Sequence, residues 1–172
     1  AILLGDALQW LPNGASAVLK ERMERLEVDA LRWSAEAINA SIVTVMDDDF
    51  PKLLCPLPAC PAVLWYRGTL NCVHSPSVAI VGARRCTKYG IEQADIFSTE
   101  ITKANVLVIS GGARGIDAAA HRSTIRNNGD TVAVMGSGLG VAYPPEHAPL
   151  FDEIVKEGGA VISEFHCTRP PR

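Results

Sequence analysis

The residue types best suited to bind an anion lie in one glycine-rich segment, Ser110-Gly-Gly-Ala-Arg-Gly115. An apolar run typical of a strand buried on both faces, Val106 to Ile109, precedes it, and a run of helix formers, Ile116 to His121, follows it. Glycines let backbone N–H groups approach a ligand, and a helix N-terminus offers unpaired donors. Arg114 adds a permanent charge whose fork fits phosphate oxygens. The segment predicts a phosphate-binding loop; the alternative is a turn that only joins strand to helix.

Two further glycine loops follow apolar runs, Gly82-Ala83-Arg84-Arg85 and Gly136-Ser-Gly-Leu-Gly140. Because the carboxyl ends of parallel strands lie along one edge of a sheet, we expect the three loops to meet there. The edge should be cationic, because no acidic residue interrupts the first loop before Glu92. The candidate anion-binding residues are Gly82, Ala83, Arg84, Arg85, Lys88, Ser110, Gly111, Gly112, Arg114, Gly115, Gly136 and Gly138.

Four short apolar runs recur at nearly equal intervals, each about the length of a strand plus a crossover helix. They are Val78 to Val81, Val106 to Ile109, Val132 to Met135, and Ala160 to Ile162. This pattern predicts an α/β fold, a Rossmann-like and mostly parallel sheet with flanking helices on both faces. The apolar faces predicted for the first and last crossover helices are Ile91, Ala94, Phe97 and Ile101, and Leu150, Phe151, Ile154 and Val155.

The chain upstream of these runs divides into two parts. Residues 1 to about 40 have helical apolar spacing and predict a helical segment, which would either pack on the rest of the chain or be the tail of a truncated helical domain. Ile42 to Met46 and Ala62 to Tyr66 are two more strand candidates. We therefore expect a helical segment over residues 1–40 and a Rossmann-like domain over residues 41–172.

The composition narrows the class of protein. Sixteen lysines and arginines against nineteen aspartates and glutamates give this 172-residue chain a formal net charge of -3, so nucleic-acid binding would need a local basic patch. The five cysteines are odd in number and form no C-x-x-C pair, which favours reduced thiols in a cytosolic protein over a zinc site. No apolar run reaches the length of a membrane span. We expect a cytoplasmic protein without a membrane partner.

Enzyme signatures are weak. The dinucleotide fingerprint G-x-G-x-x-G and the hydrolase motif G-x-S-x-G are both missing. Asp117 and His121 lie one helical turn apart and could form an acid–base pair, but we interpret them as loop supports. Asp47-Asp-Asp49 could hold Mg²⁺ or Ca²⁺, and a solvated turn is the favoured interpretation. We predict no catalytic residue, no metal and no cofactor.

Four segments together resemble the DprA/Smf family, and the resemblance covers about residues 42 to 172. The segments are Val78 to Gly90, Ser110 to His121, Ala133 to His147, and Gly158 to Glu164. The resemblance implies a cytosolic bacterial protein that binds and protects single-stranded DNA, forms a homodimer and helps load the RecA recombinase in natural transformation. It also implies that the loops Gly82 to Arg84 and Ser110 to Gly115 line the DNA pocket. By the same resemblance, the two upstream strands would extend the Rossmann-like sheet, and residues 1–40 would be the tail of an N-terminal helical domain.

The chain departs from the family pattern in two places. Pro145 stands where some members carry a lysine after the Tyr-Pro pair, so one phosphate contact is expected to be missing or supplied elsewhere. The sequence also stops before later strands that help form the family's dimer face, so the native dimer is not expected from this stretch alone.

Two alternatives to DNA binding stay open. One is a nucleotide-processing enzyme of the lysine-decarboxylase-like phosphoribohydrolase group, which also uses glycine loops at strand ends. The other is an assembly protein that contacts RecA without binding DNA. Tyr89, Tyr143 and Phe165 follow predicted strands and could stack on bases, or could simply pack.

Overall fold

The computed structural model of the chain describes residues 28–171. Its contacts divide the chain into two compact units, Ala1–Trp33 and Ser34–Arg172. Most of the predicted helical segment over residues 1–40 lies outside the described residues. Within them, helix α1 spans Val28–Glu36.

The elements then follow in alternating order. The strands are β1 (Ser41–Thr44), β2 (Val63–Gly68), β3 (Ser77–Ala79), β4 (Leu107–Ser110), β5 (Thr131–Val134) and β6 (Ala160–Ser163). The helices are α2 (Lys88–Lys103), α3 (Ile116–Arg126) and α4 (Ala148–Lys156), and short 3-10 turns span Lys52–Leu54, Asn71–His74 and Pro145–His147.

The strands form one mixed sheet of six in the described part, in the order β1-β2-β6-β5-β4-β3. Strands β3 to β6 are parallel, with Val108 of β4 opposite Thr131 of β5. Strand β2 pairs with β6 in the antiparallel direction, and β1 pairs with β2, also in the antiparallel direction. The predicted α/β Rossmann-like sheet, mostly parallel and extended by two upstream strands, is confirmed.

The two faces of the sheet are covered differently. On one face α3 and α4 pack on Ala133 and Val161. On the other, Leu107 and Val132 pack with residues of the irregular segment between β1 and β3, among them Phe50. The prediction of helices on both faces is wrong for residues 28–171, because this proline-punctuated segment fills the second layer with loops and 3-10 turns.

Helix α2 buries only Ala94 of the apolar face that its sequence predicts, and Ile101 is half-buried. Its buried residues are Ala94, Ser98 and Thr102, while Ile91 and Phe97 are exposed. These small side chains lie four residues apart on the helix, on one side. Helix α3 meets them with small polar residues: the Ser123 hydroxyl donates to the Asp95 carbonyl at 3.0 Å and pairs with Thr99 Oγ1 at 3.2 Å. Close helix packing therefore selects small residues over large apolar ones here.

Helix α4 buries the face that its sequence predicts. Leu150, Phe151 and Ile154 are buried and Val155 is partly buried, all on the helix-covered face of the sheet. Its apolar residues recur at helical spacing without a small-residue alternative, so the pattern admits one orientation.

The acidic turn after β1 is held by its own first residue. Asp47 Oδ2 accepts hydrogen bonds from the Thr44 N–H at 2.7 Å and the Thr44 hydroxyl at 2.8 Å. The Thr44 backbone hydrogen bond, helped by its hydroxyl, lowers the pKa of Asp47. Asp47 thus closes a turn. Across residues 28–171, no three side chains of metal-binding type lie together.

All five cysteines lie in the described part of the chain, and all are free thiols. None of the helices in residues 28–171 combines the length and apolar character needed to cross a membrane.

Candidate nucleic-acid interface

The three glycine loops meet in one cavity at the carboxyl edge of the parallel strands. The cavity has a volume of about 100 Å³, and we call it the edge pocket. Its lining residues are Arg84, Gly111, Ala113, Arg114, Gly136, Ser137, Tyr143, Pro144 and Pro171. Four of them belong to the predicted anion-binding set, namely Arg84, Gly111, Arg114 and Gly136. The other eight predicted residues lie outside the lining, for the reasons given below.

Asp117 ties two of the loops together. It lies in the first turn of α3 and is buried, with 6% of its surface exposed. Its Oδ1 accepts a hydrogen bond from the Gly82 N–H, and its Oδ2 accepts one from the Ala113 N–H, both at 3.3 Å. The carboxylate therefore fixes the first loop against the second, and it uses two backbone donors that could otherwise have met a ligand.

The N-terminus of α3 is closed by the chain itself. Gly115, the residue before the helix, has a φ of 80°, and a Cβ there would lie 2.2 Å from the Ala83 carbonyl oxygen. The same carbonyl accepts a hydrogen bond from the Ile116 N–H at 3.4 Å. The Ala83 carbonyl thus takes the first N–H of α3, one of the donors that the expected phosphate cradle would offer to a ligand.

Three other predicted contacts are engaged within the fold. The Ser110 hydroxyl is buried and donates to the Ile80 carbonyl at 2.5 Å, which links β4 to the end of β3. The Gly112 carbonyl accepts from His147 Nδ1 at 3.0 Å. The Gly138 N–H donates to the Arg169 carbonyl at 2.8 Å, and a Cβ at Gly138 would lie 2.0 Å from the backbone of the C-terminal tail. These groups build the walls of the site.

The cations of the first loop remain available. Arg84, Arg85 and Lys88, which we call the cation rim, are exposed, and none of them forms an ion pair with another described residue. Arg85 and Lys88 lie beyond the lining of the edge pocket, Arg85 shortly before α2 and Lys88 as the first residue of that helix. A chain with a net charge of -3 therefore presents unpaired positive charge at this edge.

Arg114 is the exception among these cations. Its Nε donates to Glu146 Oε1 at 2.5 Å, with about half of each side chain exposed. This hydrogen bond raises the pKa of Arg114 and lowers the pKa of Glu146. Sequence reasoning missed Glu146, since its partner lies 32 residues away and no helical spacing connects the two.

Asp117 and His121 do not form a dyad in the described structure. His121 is fully buried and its Nδ1 lies 2.7 Å from Thr131 Oγ1, which in turn donates to the Val108 carbonyl at 2.8 Å. Since the Thr131 hydrogen points to that carbonyl, His121 Nδ1 is the donor and Nε2 carries no hydrogen. Burial lowers the pKa of His121 to about 3, so the ring is neutral. His121 anchors α3 to β4 and β5, and Asp117 supports the loops.

The aromatic candidates separate in space. Tyr143 lines the edge pocket with 40% of its surface exposed. Phe165 lies under the Arg169 guanidinium, 5.5 Å from the ring centroid, and Tyr89 is exposed on the first turn of α2. Tyr143 alone of the three lies where a base could stack inside the pocket.

The fold and this edge define a class: a Rossmann-like α/β protein whose strand ends carry glycine loops and a cationic pocket. The chain belongs to the DNA recombination-mediator protein A family, whose model matches residues 41–172. The DprA/Smf resemblance of the sequence motifs is thereby confirmed. Among curated relatives, the protein Smf of Synechocystis is 41% identical over 137 residues, which are 77% of this chain and 34% of the relative.

Two solved structures share the fold. DNA processing protein A of Streptococcus pneumoniae is 32% identical and superposes with a TM-score of 0.79 over 98% of this chain and 58% of that chain. DNA processing protein A of Helicobacter pylori, a structure described for its single-stranded DNA binding mode, is 23% identical, with a TM-score of 0.65 over 77% of this chain and 59% of that chain. The chain thus spans from a third to somewhat over half of the length of these relatives.

Proposed function

We propose that the edge pocket and the cation rim bind the backbone of single-stranded DNA. One observation carries the proposal: Arg84 and Arg114 both line the pocket, and two more exposed cations, Arg85 and Lys88, lie close to Arg84 in the chain. None of the three cations of the rim forms an ion pair with a described residue. Unpaired arginines and lysines at a groove suit a polyanion, since each can neutralise one phosphate. The pocket floor of glycine backbone leaves room for a sugar–phosphate chain to approach closely.

The rest of the site favours binding over catalysis. Asp117 is committed to two backbone N–H groups and His121 to Thr131, so the residue pair that the enzyme alternative needs is engaged elsewhere. Tyr143 offers a ring at the pocket wall, and stacking on a ring tolerates any base. This supports recognition without sequence preference, in which phosphates set the affinity.

We extend the proposal to the whole protein on the strength of its family. The family name, recombination-mediator, supports a role in which the bound strand is protected and handed to the RecA recombinase during natural transformation. The DNA processing protein A of Helicobacter pylori binds single-stranded DNA, which supports the same ligand for this chain. Homodimer formation by the complete protein belongs to the same proposal, as does the division into a helical segment and a Rossmann-like domain at about residue 40.

Removal of Arg84 tests the pocket. Arg84→Ala is expected to weaken binding to a labelled oligothymidylate roughly tenfold, because one charge-assisted phosphate contact is lost. The slope of log affinity against log salt should fall by about 0.7, the value of one phosphate contact on a single strand. Fluorescence anisotropy at several salt concentrations measures both quantities.

The matched control is Arg126→Ala. Arg126 is an exposed arginine in the last turn of α3, away from the edge pocket, where it pairs with Asp95. The control removes the same charge and should leave the salt slope unchanged. Equal effects of the two substitutions would show that only net charge matters and would overturn the pocket assignment.

A further inference from the structure

The segment after the third glycine loop reaches back to the second loop at two adjacent residues. His147 Nδ1 holds the Gly112 carbonyl, and Glu146 Oε1 accepts from Arg114 Nε. Both residues belong to the 3-10 turn Pro145–His147, which leads directly into α4. The turn therefore contacts the second loop at two points, the Gly112 backbone carbonyl and the Arg114 side chain.

The geometry of the ion pair leaves the guanidinium able to bind a ligand. Glu146 uses Nε, so the four N–H groups on the two terminal nitrogens of Arg114 are not taken by this contact. Arg114 lines the edge pocket, while Glu146 does not. The carboxylate thus holds the inner nitrogen from outside the pocket, and the terminal fork is the part left for a phosphate.

We propose that Glu146 is a positioning residue, which holds the Arg114 guanidinium in the orientation that binds a DNA phosphate. This inference rests on the proposed function of the edge pocket. An arginine held by a carboxylate loses less side-chain freedom when it binds a ligand, which raises its affinity for that ligand. The opposite role, a carboxylate that competes with phosphate for Arg114, predicts the opposite result in the experiment below.

The experiment compares Glu146→Gln with Glu146→Ala in the full chain. Both substitutions remove the same negative charge, but the glutamine oxygen can still accept from Arg114 Nε. The ratio of their oligothymidylate dissociation constants therefore isolates the positioning contact from the charge. The Glu146→Ala variant should bind oligothymidylate about two- to fivefold more weakly than Glu146→Gln, the range expected for a half-exposed ion pair.

Three comparisons make the result decisive. In an Arg114→Ala background the ratio of the two dissociation constants should fall to one. Glutamine and alanine at Glu153, an exposed residue of α4, should also give a ratio of one. The Arg114 Nε–H resonance, followed by NMR without DNA, should shift in Glu146→Ala and stay near its wild-type position in Glu146→Gln. A ratio above one that persists in the Arg114→Ala background would overturn the inference. An Arg114 Nε–H resonance that does not shift in Glu146→Ala would also overturn it.

The outcomes also separate this inference from the function beneath it. A wild-type chain that binds no oligothymidylate overturns the proposed function, and the phosphate role of Glu146 with it. A wild-type chain that binds, with a ratio of one between the two Glu146 variants, overturns the positioning role alone. Equally tightened binding in both variants, with a ratio of one, identifies Glu146 as a competitor.

Discussion

The second glycine loop and the cation rim lie at the same edge of the sheet but are built in opposite ways. In the loop, backbone polar groups are paired within the fold: the Ala113 N–H donates to Asp117, and the Gly112 carbonyl accepts from His147. In the rim, Arg84, Arg85 and Lys88 point outward, without ion pairs among the described residues. The polar groups of the loop are therefore paired within the fold, whereas the charges of the rim are exposed.

This difference indicates that the glycines serve the close packing of the loops. A Cβ at Gly115 would meet the Ala83 carbonyl, and one at Gly111 would lie 2.8 Å from the Asp117 carboxylate. These glycines let two loops and a helix end approach one another, so that the side chains beside them are held at one edge. In the proposed function, affinity for the DNA backbone depends on the arginines and lysines, and the glycine loop holds them in place as a fixed frame.

Asp117→Ala should be the most damaging change to this frame. It leaves the N–H groups of Gly82 and Ala113 without their partner in a buried place, at a cost of about 3 kcal/mol in the free energy of unfolding. Urea unfolding followed by circular dichroism measures the loss. Glu153→Ala, which removes an exposed carboxylate of α4, should change the value by less than about 0.5 kcal/mol.

A loss below about 1 kcal/mol for Asp117→Ala would contradict the closed-loop interpretation. The two N–H groups would then have to be satisfied by solvent, and the loop would be as open to a ligand as its sequence suggests.

Gly115→Ala tests the contact between the two loops with a smaller expected effect. The residue needs a φ of 80°, and the added methyl group would overlap the Ala83 carbonyl oxygen, so we expect a loss of about 2 kcal/mol. Gly136→Ala is the matched substitution, since its Cβ would meet no atom within 4 Å. Thermal unfolding should separate the two variants by several degrees. Equal melting temperatures would mean that the loops can move apart freely.

The strands could be predicted from the sequence because their signal is local. Each apolar run marks a strand to within about two residues, and the intervals between the runs require parallel crossovers. The orientation of α2 could not be predicted in this way. Its sequence offers a large apolar face and a small polar one, and only the presence of Ser123 on α3 shows that the small face is buried.

The geometry of the edge could be predicted to a similar degree, while its role in binding stays a prediction. The sequence places the three loops at one edge, and the structure brings Gly111, Arg114 and Gly136 into one pocket. The sequence does not show which backbone donors remain unpaired. Asp117, Ala83 and Arg169 accept hydrogen bonds from several of these donors, through contacts between residues distant in sequence. Glu146 was missed for the same reason.

The last expected effect is the smallest when it is expressed per pH unit, and it distinguishes the buried packing around His121 from the exposed cation rim. His121 in the frame has its pKa lowered to about 3 by burial, against 6.5 when the chain is unfolded. Its Nε2 has no partner within the described structure, so a second proton there would be buried without an acceptor. Below pH 6.5 the unfolded chain takes up a proton that the folded chain refuses. The free energy of unfolding should therefore decrease as the pH is lowered, by at most about 1.4 kcal/mol per pH unit, until about pH 3.

Oligothymidylate affinity should not follow this trend, because in the proposed function the binding surface is made of arginine and lysine side chains and does not include His121. Urea unfolding between pH 7 and pH 5 should give a shallower pH dependence in His121→Gln than in the wild type, even though the variant starts less stable. His74→Gln, at an exposed histidine, should keep the wild-type slope. If His121→Gln keeps that slope too, another group drives the acid response. Oligothymidylate affinity that falls in parallel with stability would mean that the frame itself takes part in binding.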